Sequence, residues 1–127
     1  FYDLPIPFSL PMIEQYGAEW LTKALHAAGT LPPSNKVVKM EAKQFVGGGA
    51  CLKAILKVQY EFPSEDLHER LFCKYPFEFD ENNAQGLWNW NCVMNNDAPE
   101  IDFARLLSAG VPMRTSKYYY GDICPKT

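Results

Sequence analysis

The sequence predicts an α+β fold, because two segments repeat apolar residues at helical spacing while three others alternate apolar and polar residues. Of the 127 residues, 47% are hydrophobic and 14% are aromatic, a composition typical of folded globular proteins. A chain of this length buries roughly two-thirds of the surface that it would expose when unfolded. The predicted order is a helix, three antiparallel strands, a second helix and a final strand.

The N-terminal arm, residues 1–17, is rich in proline and is expected to be extended, with one short turn near residues 12–16. Residues 18–127 form the predicted folded domain, which opens with a helix that ends at Gly29. A proline-rich loop follows at residues 31–35. The apolar face of the first helix is formed by residues at 3.6 spacing: Trp20, Leu21, Ala24, Leu25 and Ala28.

Three strands follow, and the alternation of apolar and polar residues defines their faces. The second strand covers residues 51–62 and turns its even-numbered apolar side chains to one side. A connection that contains glycine joins it to the first strand, which predicts an antiparallel hairpin. The third strand covers residues 70–75 and is closed by Pro76. The apolar face of the first strand consists of Val38, Met40 and Ala42.

Residues 77–96 have no regular pattern, and a second helix is predicted to begin at Asp97, a candidate N-cap. Gly110 and Pro112 end this helix. An aromatic strand over residues 117–123 completes the predicted order. The apolar face of the second helix is formed by Ile101, Phe103, Ala104, Leu106 and Leu107.

A glycine turn and a lysine within a strand are the first candidates for a binding site. The amides of Gly47, Gly48 and Gly49 can approach phosphate oxygens, although glycine is equally typical of an ordinary hairpin turn. Lys74 interrupts an apolar strand, and an ammonium in a cleft is stable when it is paired with a carboxylate or a phosphate. The alternative is an edge lysine whose head lies in water.

Glu100 is the carboxylate that we expect to pair with Lys74, because its helix follows the lysine strand. A competing role is local, since Asp97 and Glu100 have the spacing of a capping box, in which the glutamate binds first-turn amides. The position of Glu100 after the lysine strand favours the ion pair.

The charge balance and the pattern of cysteines and histidines exclude several classes of function. A net charge of −3 and a pI of about 5.3 argue against a nucleic-acid partner. No apolar run is long enough to span a membrane. Two histidines and four widely spaced cysteines argue against a bound metal. We expect reduced cysteines in a cytoplasmic protein, whereas a secreted protein would have two disulfides.

Four segments carry a resemblance that spans about residues 18–123. In order, they read EWLTKAL at 19–25, FVGGG with a strand ending VQY at 45–60, LFCKYP at 71–76, and PEIDF continuing to KYYYGD at 99–122. Together they resemble the N-terminal lobe of the kinase-like small-molecule phosphotransferases, the aminoglycoside phosphotransferase and choline kinase group with its ecdysteroid-kinase-like branch.

The resemblance implies a kinase-like N-lobe in which an antiparallel sheet carries a packed helix and ATP binds beside the glycine turn. Gly47, Gly48 and Gly49 would surround the nucleotide phosphates, Lys74 would contact the α- and β-phosphates, and Glu100 would hold Lys74. The partners would be the nucleotide and a small-molecule acceptor whose hydroxyl is phosphorylated.

The same resemblance implies that much of the enzyme lies elsewhere. No H-x-D catalytic loop follows, nor the aspartate that would bind Mg²⁺. The catalytic residues and the Mg²⁺ ligands are therefore expected in an absent C-terminal lobe, and this chain alone is expected to be inactive. Two interpretations of the chain stay open: a truncated gene product or fragment, and a free-standing lobe.

Two other functional classes compete with this interpretation. Residues 44–48 fit Q-x-V-x-G, the hairpin signature of the cystatin inhibitors of cysteine proteases, and a helix before a β-meander suits that fold. Against it, the chain has no Pro-Trp second hairpin, and a second helix followed by a strand has no place there. A small non-catalytic α+β interaction module is the third alternative.

Overall fold

The computed structural model describes residues 1–47, 51–76, 82 and 97–123. Its elements confirm an α+β chain with an N-terminal helix and a three-stranded antiparallel sheet. The elements are α1 (Leu10–Ala27), β1 (Val37–Gln44), β2 (Leu52–Tyr60), β3 (Arg70–Tyr75) and α2 (Asp97–Asp102), which continues as a π-helical turn (Phe103–Leu107) and a 3-10 turn (Ser108–Gly110).

Helix α1 begins earlier than the sequence predicts, since the expected short turn within the arm is already helical. Ser9 caps it, because its Oγ accepts a hydrogen bond from the amide of Met12 at 3.4 Å. Pro11 fits the first turn, where the amide that proline lacks has no helical partner. Gly17, at φ +60°, interrupts the helix at the predicted end of the arm. The division of the chain there into arm and domain stays a prediction.

The second part of α1 matches the prediction. Leu21, Ala24 and Leu25 are buried, and Gly29 adopts φ +68° just after the C-terminus, a conformation that favours glycine. The amide of Val37 donates to Thr22 Oγ1 at 3.0 Å, so the helix is tied directly to the start of β1.

The sheet has the order β1-β2-β3, with both neighbouring pairs antiparallel. The predicted hairpin is confirmed, and β3 has the predicted bounds. One prediction for β1 is wrong: Val38 is 50% exposed, whereas Val37 is only 4% exposed. The register shifts between Val37 and Lys39, and such a bulge turns the intervening side chain out of the alternation.

The two faces of the sheet have opposite chemistry. We call the face that packs on α1 the inner face and the opposite one the outer face. The inner face and α1 share a core that includes Leu21, Leu25, Ala54, Leu56, Val58, Tyr60, Leu71 and Tyr75. The outer face of β2 and β3 carries Lys53, Ile55, Lys57, Arg70, Phe72 and Lys74.

The region after α2 departs from the prediction. The expected apolar helix face is not buried, because Phe103, Leu106 and Leu107 are exposed. The π-helical turn has more residues per turn than an α-helix, so residues at 3.6 spacing no longer share one side. The helix does end at Gly110, close to the predicted stop.

The predicted strand over residues 117–123 is not a strand. Tyr119 and Tyr120 instead pack against the core with their side chains. The hydroxyl of Tyr119 accepts a hydrogen bond from the amide of His68 at 2.8 Å, and the carbonyl of Tyr119 accepts one from Thr30 Oγ1 at 2.7 Å. Side-chain contacts therefore hold this segment in place of a strand ladder.

Most of the irregular segment 77–96 lies outside the described residues. In the part of the chain that the structure describes, no helix has the length and apolar character needed to cross a membrane.

Candidate functional site

Lys74 lies on the outer face because of the two-residue period of β3. Leu71 and Tyr75 are buried and Cys73 is half-buried against the core, so Lys74 and Phe72 point the other way. The side chain of Lys74 is 44% exposed. This placement agrees with the alternation that the sequence predicts.

Glu100 reaches Lys74 from the first turns of α2, and the two side chains form an ion pair. The Glu100 side chain is 60% exposed, and pairs at such exposure contribute about 0–1 kcal/mol to stability. The pair therefore orients the lysine more than it stabilises the fold. The competing cap depends on the side chain of Asp97, which lies outside the described residues.

Of the predicted glycine turn, Gly47 is described, while Gly48 and Gly49 lie outside the described residues. A Cβ at Gly47 would lie 2.8 Å from the Phe45 ring, so a larger residue there would require this ring to move. The Phe45 ring itself packs edge-on against Phe72, with centroids 6.0 Å apart. Phe45, two residues before Gly47, thus packs on the face that carries Lys74.

Lys53 is a site residue that sequence reasoning missed. It lies directly opposite Lys74 in the register of β2 and β3, so the two lysines share the outer face. Its Nζ donates to the carbonyl oxygens of Cys51 at 2.9 Å and Gly47 at 3.4 Å. The alternation along β2, together with the register of the β2–β3 hairpin, is the signal that places Lys53 there.

The outer face concentrates positive charge although the whole chain is acidic. The register places two like-charged pairs across β2 and β3, Lys53 with Lys74 and Lys57 with Arg70. Like charges directly opposite each other are destabilising, so a bound anion would relieve them. Lys57 also faces Glu41 on β1, and the Glu41 carboxylate pairs with Lys39 at 2.6 Å. Lys74 pairs with Glu100, so both ends of the face carry a carboxylate.

No family model, curated protein or solved structure matches this chain. The site is therefore judged on its own geometry.

A cleft among the described residues lies at the opposite end of the strands. It encloses about 620 Å³ between the α1–β1 loop and the β2–β3 turn, and it contains none of the predicted site residues. Its lining includes His26, Asn35, Asp66 and Lys117. Among the described residues, no group of three His, Cys, Asp or Glu side chains could hold a metal ion.

The Cys73 thiol is a poor nucleophile. Burial raises the pKa of this thiol to about 11, and the nearby Cys51 adds to the shift. With this raised pKa, Cys73 stays protonated at neutral pH. Since the thiolate is the reactive form, the Cys73 thiol reacts slowly there. The arrangement can bind an anion with ammonium groups, and it offers no covalent chemistry through Cys73.

Proposed function

We propose that this chain is the nucleotide-binding lobe of an ATP-dependent phosphotransferase that phosphorylates a hydroxyl group of a small molecule. One observation carries the proposal: Lys74 and Glu100, from a strand and a helix far apart in sequence, form an ion pair on the outer face. A lysine oriented by a glutamate and placed beside a glycine turn is the arrangement used to bind nucleotide phosphates in kinase-like lobes.

The proposed chemistry at this site is binding and orientation. The Lys74 ammonium would contact phosphate oxygens, and Glu100 would fix its position, so that the transferred group is held for attack. We assign the catalytic base and the Mg²⁺ ligands to residues beyond this chain, so no step through a metal is derived. The kinase-like lobe and the cytoplasmic location with reduced cysteines stay predictions.

The direct test is ATP binding by isothermal titration of the 127-residue chain and three variants. Lys74→Met should weaken binding by at least about tenfold, because it removes a charge-assisted contact worth about 1.5–3 kcal/mol. Glu100→Gln should weaken it less, since it frees the lysine without removing it. Lys57→Met removes one charge from the same face and is the matched control, expected to bind like wild type.

Two results would contradict the proposal. One is a Lys74→Met variant that binds ATP as tightly as wild type. The other is equal weakening by Lys74→Met and Lys57→Met, because that would show only the general charge of the face.

A cystatin-like protease inhibitor is the second candidate, favoured by the exposed hairpin. Val46 is 91% exposed and Phe45 is 48% exposed in the β1–β2 connection, where such an inhibitor would present apolar side chains to a protease cleft. The helix α1 packed on an antiparallel sheet also suits that class. Inhibition of a papain-class protease that is lost in Val46→Asp but kept in Lys74→Met would favour this candidate over the first.

A further inference from the structure

Strand β1 lies at the edge of the sheet, so one side of its backbone has no neighbouring strand among the described residues. Alternate residues of β1 bond to β2, and the amide of Phe45, which donates to the carbonyl of Lys53 at 2.8 Å, sets this alternation. The backbone groups of Met40, Ala42 and Gln44 therefore point away from β2. In the part of the chain that the structure describes, no backbone partner satisfies them. An edge of this kind can accept a further strand.

Helix α1 covers one end of this edge. The amide of Val37 donates to Thr22 Oγ1 at 3.0 Å, and the same hydroxyl contacts the Val37 carbonyl oxygen at 3.5 Å. The register shift between Val37 and Lys39 separates this end from the regular strand that follows. We call residues 39–44 the free edge of β1. Its length is typical of strands that pair in sheets.

The exposed side chains of the free edge alternate in charge along the outer face: Lys39, Glu41 and Lys43. Glu41 pairs with Lys39 at 2.6 Å and lies opposite Lys57 on β2. Lys43 lies opposite Ile55 and makes no ion pair with another described residue. Lysines on an edge strand commonly repel other strands, but a row of alternating sign can also match a second copy of itself. An added strand could supply the carboxylate that Lys43 lacks.

The alternation selects a register for two β1 strands. Antiparallel pairing keeps the outer faces together when residues of the same parity lie opposite each other. Centred on Ala42, the pair sets Glu41 of each copy opposite Lys43 of the other, which gives two opposite-charge pairs. Centring on Glu41 or Lys43 sets like charges opposite each other. Centring on Met40 lays the second strand beside Val37, where Thr22 already binds the backbone.

The register centred on Ala42 also brings exposed apolar side chains together. It places Val46 of one copy level with Val38 of the other. Val46 is 91% exposed and Val38 is 50% exposed. Their contact would remove apolar surface from water, which favours association.

We propose that a second copy of this chain binds the free edge of β1, with the antiparallel strands centred on Ala42 and with Glu41 of each copy opposite Lys43 of the other. The two three-stranded sheets form one sheet of six strands. Both copies use the same surface, so the contact closes as a two-fold dimer and does not extend into a fibre. This inference is independent of the proposed function, because no nucleotide takes part.

Amide hydrogen exchange tests the strand pairing in the unaltered chain. So short an interface is expected to be weak, and exchange is therefore measured from about 10 μM to about 1 mM protein. The amides of Met40, Ala42 and Gln44 should exchange at least about fivefold more slowly at the highest concentration. Those of Glu41 and Lys43 already bond to β2 and are the internal control, expected to change by less than about twofold.

Sedimentation equilibrium tests the charges. Glu41→Lys and Lys43→Glu each turn both opposite-charge pairs into like-charge pairs, so each should raise the dissociation constant of the dimer at least about tenfold. A mixture of these two variants should associate like wild type, because the lysines of one chain then face the glutamates of the other. Lys23→Glu makes the same charge change on the exposed side of α1 and is the matched control, expected to associate like wild type.

Four results would overturn the inference. Wild type could stay monomeric at about 1 mM, or form a dimer that neither charge reversal weakens, which would place the contact on another surface. Lys23→Glu could weaken the dimer as much as Lys43→Glu does, or the mixture of the two reversed chains could stay monomeric. Should a variant not fold, as circular dichroism would show, the exchange measurement on wild type still decides: equal exchange of Ala42 at all concentrations contradicts the strand pairing.

Discussion

The inner and outer faces of the sheet are built from the same strands but differ in chemistry, since the inner face is apolar and the outer face carries charged side chains. On β2, Leu56 and Val58 are buried in the core that the sheet shares with α1. Lys57, which lies between them, and Lys53, earlier on the strand, point outward. Inward residues stabilise by removing apolar surface from water. Outward residues carry charge at exposures where ion pairs contribute little. The residues that stabilise the fold and those of the proposed binding site are thus separated by a single residue step along the strand.

This separation means that neighbouring substitutions should have unrelated effects. A change on the inner face should lower the free energy of unfolding and affect binding only through the fraction of unfolded protein. A change at the proposed site on the outer face, such as Lys74→Met, should alter binding and leave the unfolding transition nearly unchanged.

The largest expected effect is on the inner face. Leu56→Ala should lower the free energy of unfolding by about 2–5 kcal/mol, because it removes buried methyl groups and leaves a cavity. Lys57→Ala, the next residue, should change it by less than about 0.5 kcal/mol. Urea denaturation followed by circular dichroism measures both. Equal losses in the two variants would show that the faces are not separated in this way.

The pH dependence of Cys73 gives the next effect. Because burial raises the pKa of its thiol to about 11, alkylation of Cys73 by iodoacetamide should reach half its maximal rate near that pH, against about 8.5 in the unfolded chain. The folded state holds this proton more tightly, so its contribution to stability is complete below the unfolded pKa and is lost as the pH rises towards 11. Peptide mass spectrometry follows Cys73 separately from the other cysteines. Rapid labelling at pH 8 in the folded chain would place Cys73 on the outer face instead.

A smaller effect is expected for the ion pair itself. Lys74→Met should change the free energy of unfolding by less than about 1 kcal/mol, since both partners are largely exposed. Thermal denaturation measures this, beside the ATP titration of the same variant. A large loss of stability would assign Lys74 to the fold and would weaken the case for a binding role.

The smallest effect is expected at Gly47. An added methyl group would meet the Phe45 ring, but this ring is half-exposed and can turn away, so Gly47→Ala should cost less than about 1 kcal/mol. The cost should vanish when Phe45 is also replaced by alanine, as a double-mutant cycle in the unfolding free energy would show. A cost that persists without Phe45 would point to the backbone of the turn.

The sequence predicted those parts of the fold in which local pattern and tertiary packing agree. The alternation along β3 indicated that Lys74 shares a face with Arg70 and Phe72, and the order of elements indicated Glu100 as its partner. The start of α1 was missed because three nearby prolines suggested an extended arm, although Ser9 and Pro11 form a proper helix start. The spacing of apolar residues also indicated which residues can share a face, but not whether that face is buried.

The C-terminal segment could not be predicted from pattern, for a physical reason. Consecutive tyrosines suit a strand, but a tyrosine hydroxyl can also bond to a distant backbone amide, as that of Tyr119 does to His68. Likewise, the apolar residues after Glu100 fit an α-helix until the winding changes at Phe103. Lys53 was overlooked for a similar reason, because the pattern of residues does not indicate which carbonyl oxygens its ammonium contacts.

The hydrogen bond from Thr30 to the Tyr119 carbonyl, which spans 89 residues, bears on the order in which the site is assembled. The three strands pair only with their sequence neighbours, so their contacts close short loops and are expected to form early. The C-terminal segment must close a much longer loop, which costs more chain entropy. We therefore expect folding to present Lys74 on a finished sheet before the segment that contains Tyr119 docks against Thr30.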